Sequence, residues 1–217
     1  MSDTSPLSHS WLSFFSFSFA NFVHCNVAMM LNEVTAMFDT SKEYDEVVAL
    51  CRELYIKKMG DYGPSWRISR PSTITDQIFI NAKRIRTIQI NGEACVDEDI
   101  YSEYVGIVNY GIIGLIQLEL GFSDVIDISR ERAIELYDSH MASTKTLMMN
   151  KNTDYGEAWR DMRPSSYSDF ILTKVERTKS IEDHGGKTEV SEGIAANYQD
   201  MINYAVFALI RHNEGTE

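Results

Sequence analysis

Two stretches of this chain set a large aromatic beside two guanidinium groups: Trp66-Arg67 with Arg70, and Trp159-Arg160 with Arg163. Each lies just ahead of a segment with helical periodicity. Arg presents bidentate donors to phosphate oxygens, and a helix start adds backbone N–H groups and the positive end of its dipole, so the combination can hold phosphate. The indole, or the Tyr155 ring beside it, would stack on a base. The same residues have a structural use, in which Trp is core and each Arg ties its turn to Asp61, Asp154 or a carbonyl. The two stretches are copies of one another. Asp61-Tyr62-Gly63, Trp66-Arg67 and Arg70-Pro71-Ser72 return as Asp154-Tyr155-Gly156, Trp159-Arg160 and Arg163-Pro164-Ser165 at a constant offset of 93 residues.

Carboxylates supply a second candidate chemistry. Glu189, Glu192 and Asp200, with Asn197 and Asn203, lie on or just before the last helical stretch, and carboxylates three or four apart share a face and can hold Mg²⁺. In that reading Glu189, Glu192 and Asp200 hold the metal, and Asp200 and Glu192 serve as the catalytic carboxylates. Arg160, Arg163 and Lys174 hold phosphate, as Arg67 and Arg70 would in the first copy. The metal would polarise phosphoryl oxygens and activate water. The first copy answers only in part, with Glu98, Glu103 and Asn109, and with Gly106 where the second has Asp200. Any metal chemistry is therefore expected in the second copy. The alternative is a solvated acidic helix face. Asn109 and Asn203 interrupt apolar faces, and a buried Asn either sets register across two copies or belongs to a polar pocket.

The elements that must position these residues read as helices. Val47, Val48, Cys51, Leu54, Tyr55 and Ile56 recur at spacings of three and four over Glu43 to Met59. Gly63 stops that helix, and Lys58 and Lys151 stand three residues before Asp61 and Asp154, a spacing at which surface pairs form. Arg70-Pro71-Ser72 reads as an extended connection, after which Thr75 or Asp76 caps a second helix ending at Asn91-Gly92. A third runs from about Asp99 to Leu120. Ser129 caps a fourth, through Asn150, and the second copy repeats the plan with helices over 169–183 and 191–212. Over 61–92 and 154–185, 13 of 32 aligned residues are identical. Two copies are too few for a solenoid. The expectation is an all-α fold: two three-helix units, 40–121 and 129–213, packed as a pseudo-two-fold bundle.

Composition narrows the function. With 44% hydrophobic residues the chain can bury a core, and a net charge of −12 disfavours non-specific binding to a nucleic-acid backbone. The three cysteines have no CxxC spacing and read as reduced thiols in a cytoplasm. Residues 1–30, rich in Phe and Ser and without Lys or Arg, read as a disordered leader or a start misassigned ahead of Met29 or Met30, not as a signal or a membrane span.

The run Lys-x-x-Asp-Tyr-Gly-x-x-Trp-Arg-x-x-Arg-Pro-Ser, with the distal Asn-Tyr-x-Asp-Met-Ile-Asn-Tyr-Ala, resembles the nucleotide modification associated domain 1 family of bacteria and phages, in a form with two copies over roughly 40–213. The resemblance implies a helical domain linked to nucleotide or modified-base metabolism and no established reaction. A weaker similarity is to MazG-like all-α nucleoside triphosphate pyrophosphohydrolases, with Asn197-x-x-Asp200 in place of a metal-binding pair and no Glu-x-x-Glu on the 169–183 helix. The leading expectation is a small-nucleotide-binding protein acting with Mg²⁺ on a nucleoside triphosphate. The rival is a non-catalytic helical scaffold or partner-binding module. Duplex DNA and membranes are not expected partners, and further homodimerisation is an open alternative.

Overall fold

The chain is described by a computed structural model over residues 39–92, 99–190 and 192–215. The N-terminal leader, Cys25, Cys95 and Glu98 fall outside these residues. Six helices follow in order: α1 (Thr40–Tyr62), α2 (Pro71–Asn91), α3 (Ile100–Leu120), α4 (Arg130–Tyr155), α5 (Pro164–Asp183) and α6 (Ile194–Asn213). One turn of 3₁₀ helix precedes α2 (Ser65–Ile68) and another precedes α5 (Ala158–Asp161). No strand occurs among the described residues, and none of their helices is long and apolar enough to cross a membrane.

Helix α1 forms because Tyr44, Val47, Cys51, Tyr55 and Met59 recur on one face, and all five are buried. It stops where Gly63 takes a φ of +62°, a value that favours glycine. Asp99 and Ser129 cap α3 and α4 by accepting from the backbone N–H of Ser102 at 2.9 Å and of Arg132 at 3.1 Å. Helices α2 and α5 begin earlier than the expected Thr75 or Asp76 and residue 169. Arg70 and Arg163 are extended, as residues before proline should be, but Pro71 and Pro164 sit in the first turn, where a missing N–H costs nothing.

The core is built around α3 and α6, flanked by α2 and α5, with residues from Ser41 onward forming one unit. Close approach of α3 to α6 depends on small residues. A Cβ on Gly114 would lie 2.7 Å from the Tyr198 ring, and one on Gly111 would lie 2.5 Å from Ile202. The two halves then meet through contacts that come in reciprocal pairs. Arg86 reaches Asp169 at 2.6 Å, and its counterpart Lys179 reaches Asp76 at 3.0 Å. Thr75 donates to Glu182 at 2.8 Å, and Ser168 donates to Gln89 at 2.8 Å. Arg52 pairs with Asp138 at 2.6 Å, and Lys145 with Asp45 at 2.7 Å. In the interior, Tyr44 donates to Asn203 at 3.0 Å and Tyr137 to Asn109 at 2.8 Å. This is the pattern of an isologous two-fold interface, here drawn within one chain. The exposed ion pairs add little to stability, whereas each buried Tyr–Asn bond satisfies groups that would cost about 1–3 kcal/mol if left unpaired.

Candidate functional site

Each copy holds a cavity at the same place, between the end of its first helix, the 3₁₀ turn and its second and third helices. The cavity of the first copy measures about 710 Å³ and that of the second about 390 Å³. Equivalent residues line them: Lys58 and Lys151, Tyr62 and Tyr155, Trp66 and Trp159, Asn109 and Asn203, Tyr110 and Tyr204. The turn chemistry explains this. A glycine ends the first helix, one 3₁₀ turn swings the Trp inward, and the pre-proline residue starts the next helix alongside.

The difference in size follows from a few substitutions. In the second copy Asp200 projects into the cavity, and its two oxygens accept from Lys151 at 2.9 Å and Lys174 at 2.6 Å. In the first copy Gly106 replaces Asp200 and Asn81 replaces Lys174. Lys58, the counterpart of Lys151, consequently has no ion pair among the described residues and stands exposed at the cavity mouth. A Cβ on Gly106 would meet the Asn81 amide, so the Asn81 side chain takes the room that a side chain there would need. The second cavity is further closed by aromatic packing. Trp159 stacks on Phe207 with centroids 4.3 Å apart, and Phe170 stacks on Tyr204 at 5.2 Å. In the first copy Ile113 and Gln77 stand where Phe207 and Phe170 are.

The indole N–H groups differ as well. Trp159 donates to Asn152 at 3.1 Å. Met59 occupies the matching position in the first copy, and the buried Trp66 N–H makes no hydrogen bond among the described residues. Around that indole the cavity presents neutral donors and acceptors, among them Ser69, Thr73, Gln77, Asn81 and Asn109.

Electrostatics separate the two sites. Burial pulls the Lys151 ammonium down, but its hydrogen bond to Asp200 and the charges of Asp200 and Glu192 raise it overall. Burial raises the Tyr204 hydroxyl, and Asp200 adds to the rise. Burial pushes the Cys51 thiol up to about 12, so it is no nucleophile at neutral pH.

The arginines expected on phosphate serve elsewhere. Arg160 is buried over the Trp159 ring, 4.2 Å from its centroid, and donates to Glu157 at 3.0 Å, to Glu214 at 2.5 Å and to Glu43. Arg67 is buried too. It donates to Gln117 and to the Gly121 carbonyl, both at 2.6 Å, with Asp127 2.8 Å away. Both match the structural use of the motif: Arg67 reaches a carbonyl as expected, while neither arginine bonds Asp61 or Asp154. Arg70 and Arg163 are exposed and lie outside both cavities. Lys58 and Lys151 pair with neither Asp61 nor Asp154.

Of the expected metal ligands, Asp200 lines the second cavity, while Glu189 and Glu192 are exposed ahead of α6. Among the described residues no three His, Cys, Asp or Glu side chains gather as a metal-binding group. A Mg²⁺ ion at Asp200 would have to displace Lys151 and Lys174, so the donor set as arranged does not fit the ion and no step is derived through it. Asn109 and Asn203 answer both readings offered for them, since each bonds a Tyr of the other copy and each lines a cavity. The polar lining of the first cavity escaped sequence reasoning. Its one available signal was the paired loss of Asp200 and Lys174 at Gly106 and Asn81.

Neither the comparison with curated proteins nor that with solved structures produced a match. The family model described as nucleotide modification associated domain 1 matches residues 58–118 and again residues 151–211. Each match opens on the cavity lysine of its copy and runs through the turn and the second helix into the third. Together they span more than half of the chain, which belongs to the nucleotide modification associated domain 1 family.

Proposed function

We propose that this protein binds a nucleoside or nucleotide in the cavity of its first copy. The observation that carries the reading is the contrast between the copies: with Gly106 in place of Asp200, the first cavity measures about 710 Å³ and Lys58 has no carboxylate partner among the described residues. That volume lies within the range of small-molecule sites. The base lies inward, against the Trp66 indole, where the amides of Asn81 and Gln77 read its edge. The sugar and any phosphate lie toward the mouth, at Lys58. The family's association with nucleotide modification supports the ligand class.

The test is calorimetric titration of the protein with nucleosides and nucleotides, with and without Mg²⁺. The paired substitution Gly106→Asp with Asn81→Lys rebuilds the second copy's ion cluster in the first. It is expected to abolish binding while the protein stays folded. Unchanged binding in that variant would remove the ligand from this cavity.

A non-catalytic scaffold is the second reading, favoured by the burial of Arg67 and Arg160 in structural networks. It predicts that no nucleotide binds and that the Trp-Arg motifs matter to stability alone.

A further inference from the structure

The charges around the first cavity say how many phosphates its ligand carries. Resting on the nucleotide reading above, we infer that the ligand is a nucleoside monophosphate and not a triphosphate. Among the described residues, Lys58 is the single cationic side chain lining the cavity and Glu103 the single carboxylate. Arg67 is turned away into its bonds with Gln117, Gly121 and Asp127, and Arg70 lies outside. Every other polar lining group is neutral.

One ammonium answers one phosphate. A triphosphate would bring two further anionic groups to a mouth that has no second cation, on a protein whose net charge is already −12. Sites that act on triphosphates meet that charge with a Lys, a backbone cradle and metal ions held by protein carboxylates. Here the lining carboxylate, Glu103, is mostly buried and paired with Arg84, which leaves it poorly placed to bring in a cation and able to repel a second phosphate. The depth of the groups fits the shorter ligand. Trp66 and Asn109 are buried, Lys58 is exposed, and a base set against the former brings a 5′-phosphate to the latter.

At the second cavity Lys151, and Lys174 behind it, share the one carboxylate of Asp200, which holds both ammonium groups in place.

The experiment titrates the full chain with the nucleoside, the 5′-monophosphate and the 5′-triphosphate of each common base, with and without Mg²⁺. The monophosphate of the preferred base is expected to bind about tenfold or more tighter than its nucleoside, the gain of one charged hydrogen bond. It is also expected to bind tighter than its triphosphate in both conditions. Lys58→Ala should remove the preference for the monophosphate, so that the variant binds it no tighter than it binds the nucleoside. A triphosphate that binds as tightly as the monophosphate, or a Lys58→Ala variant that keeps the monophosphate preference, overturns the inference while nucleotide binding stands. Binding of no member of the panel overturns the nucleotide reading itself, and the inference with it.

Discussion

In the second copy Lys151 and Lys174 face Asp200 across 2.9 and 2.6 Å; in the first, Lys58 and Asn81 face a glycine. Around this difference the two copies share their fold in detail, down to the Tyr44–Asn203 and Tyr137–Asn109 bonds that tie each to the other. The shared contacts hold the bundle together. The unshared ones decide whether a cavity is wider, with a lone ammonium at its mouth, or narrower, with its lysine held on a carboxylate. The ion cluster and aromatic stacking of the second copy take up space that the first leaves empty.

The sharpest way to break this division is through the motif arginines, which both copies share. Arg160→Ala removes the partner of three carboxylates and should cost about 3 kcal/mol, as breaking a buried ion network does. Arg67 answers one carboxylate and neutral acceptors, so Arg67→Ala should cost less, about 2 kcal/mol. Urea unfolding of the two variants checks the order. An inverted order would mean that the two networks do not contribute as their partners suggest.

Next in size is the helix crossing. Gly114→Ala should lower stability by about 1–3 kcal/mol, because the added methyl meets the Tyr198 ring. In an open helix the same change would stabilise by up to about 1 kcal/mol. A stabilised variant would show that Tyr198 can move aside and that the close α3–α6 approach is not required.

Asp200→Asn tests the ion cluster itself. It leaves two ammonium groups adjacent without their carboxylate and should cost about 1–2 kcal/mol at neutral pH. The pH profile gives an independent readout. Lys151 is held above its ordinary value of 10.5 in the folded protein, so its stabilisation is present below that pH and is lost as pH rises through the folded value. The native protein should show this alkaline loss and the variant should not.

The smallest effect concerns a position where the copies carry an acid and an amide, Glu182 and Gln89. Burial raises the Glu182 carboxyl, so the folded state holds its proton more tightly than the unfolded chain. The associated stability is present below the ordinary value of 4.5 and falls as pH rises through the folded value. Glu182→Gln should flatten that acid-range slope, seen by comparing unfolding midpoints near pH 4.5 and 7. An unchanged slope would mean that Glu182 does not titrate differently in the fold.

Much of the architecture was legible before any coordinates. Helical period located all six helices, because a repeat of three and four residues survives in the order of the chain. The boundaries at Pro71 and Pro164 were misread as connections, since a proline before a helix and one inside its first turn look alike without the backbone angles. Of the residues that the sequence points to, Trp66, Trp159, Tyr155 and Asp200 line the cavities, whereas Lys58, which reads as half of a surface pair, also lines one, and Arg67 and Arg160 lie buried against carboxylates. These differences share a cause. The partners of Arg160 at Glu43 and Glu214 are distant in sequence, and a guanidinium's affinity for carboxylate is no different from its affinity for phosphate until the geometry selects one.

Sequence by itself determined that this chain is helical, that it is duplicated at a constant offset, and that each copy carries one Lys, Tyr, Trp and Asn set at matching positions. These are local or periodic properties, expressed within a few turns of helix. Only the tertiary structure decided that Tyr44 and Tyr137 cross between copies, that Arg67 and Arg160 lie buried against carboxylates, and that Asp200 holds two lysines in the second copy while Gly106 faces Lys58 in the first. Those outcomes depend on which side chains are brought within about 3 Å across helices, where burial makes an unanswered charge costly and so fixes its partner.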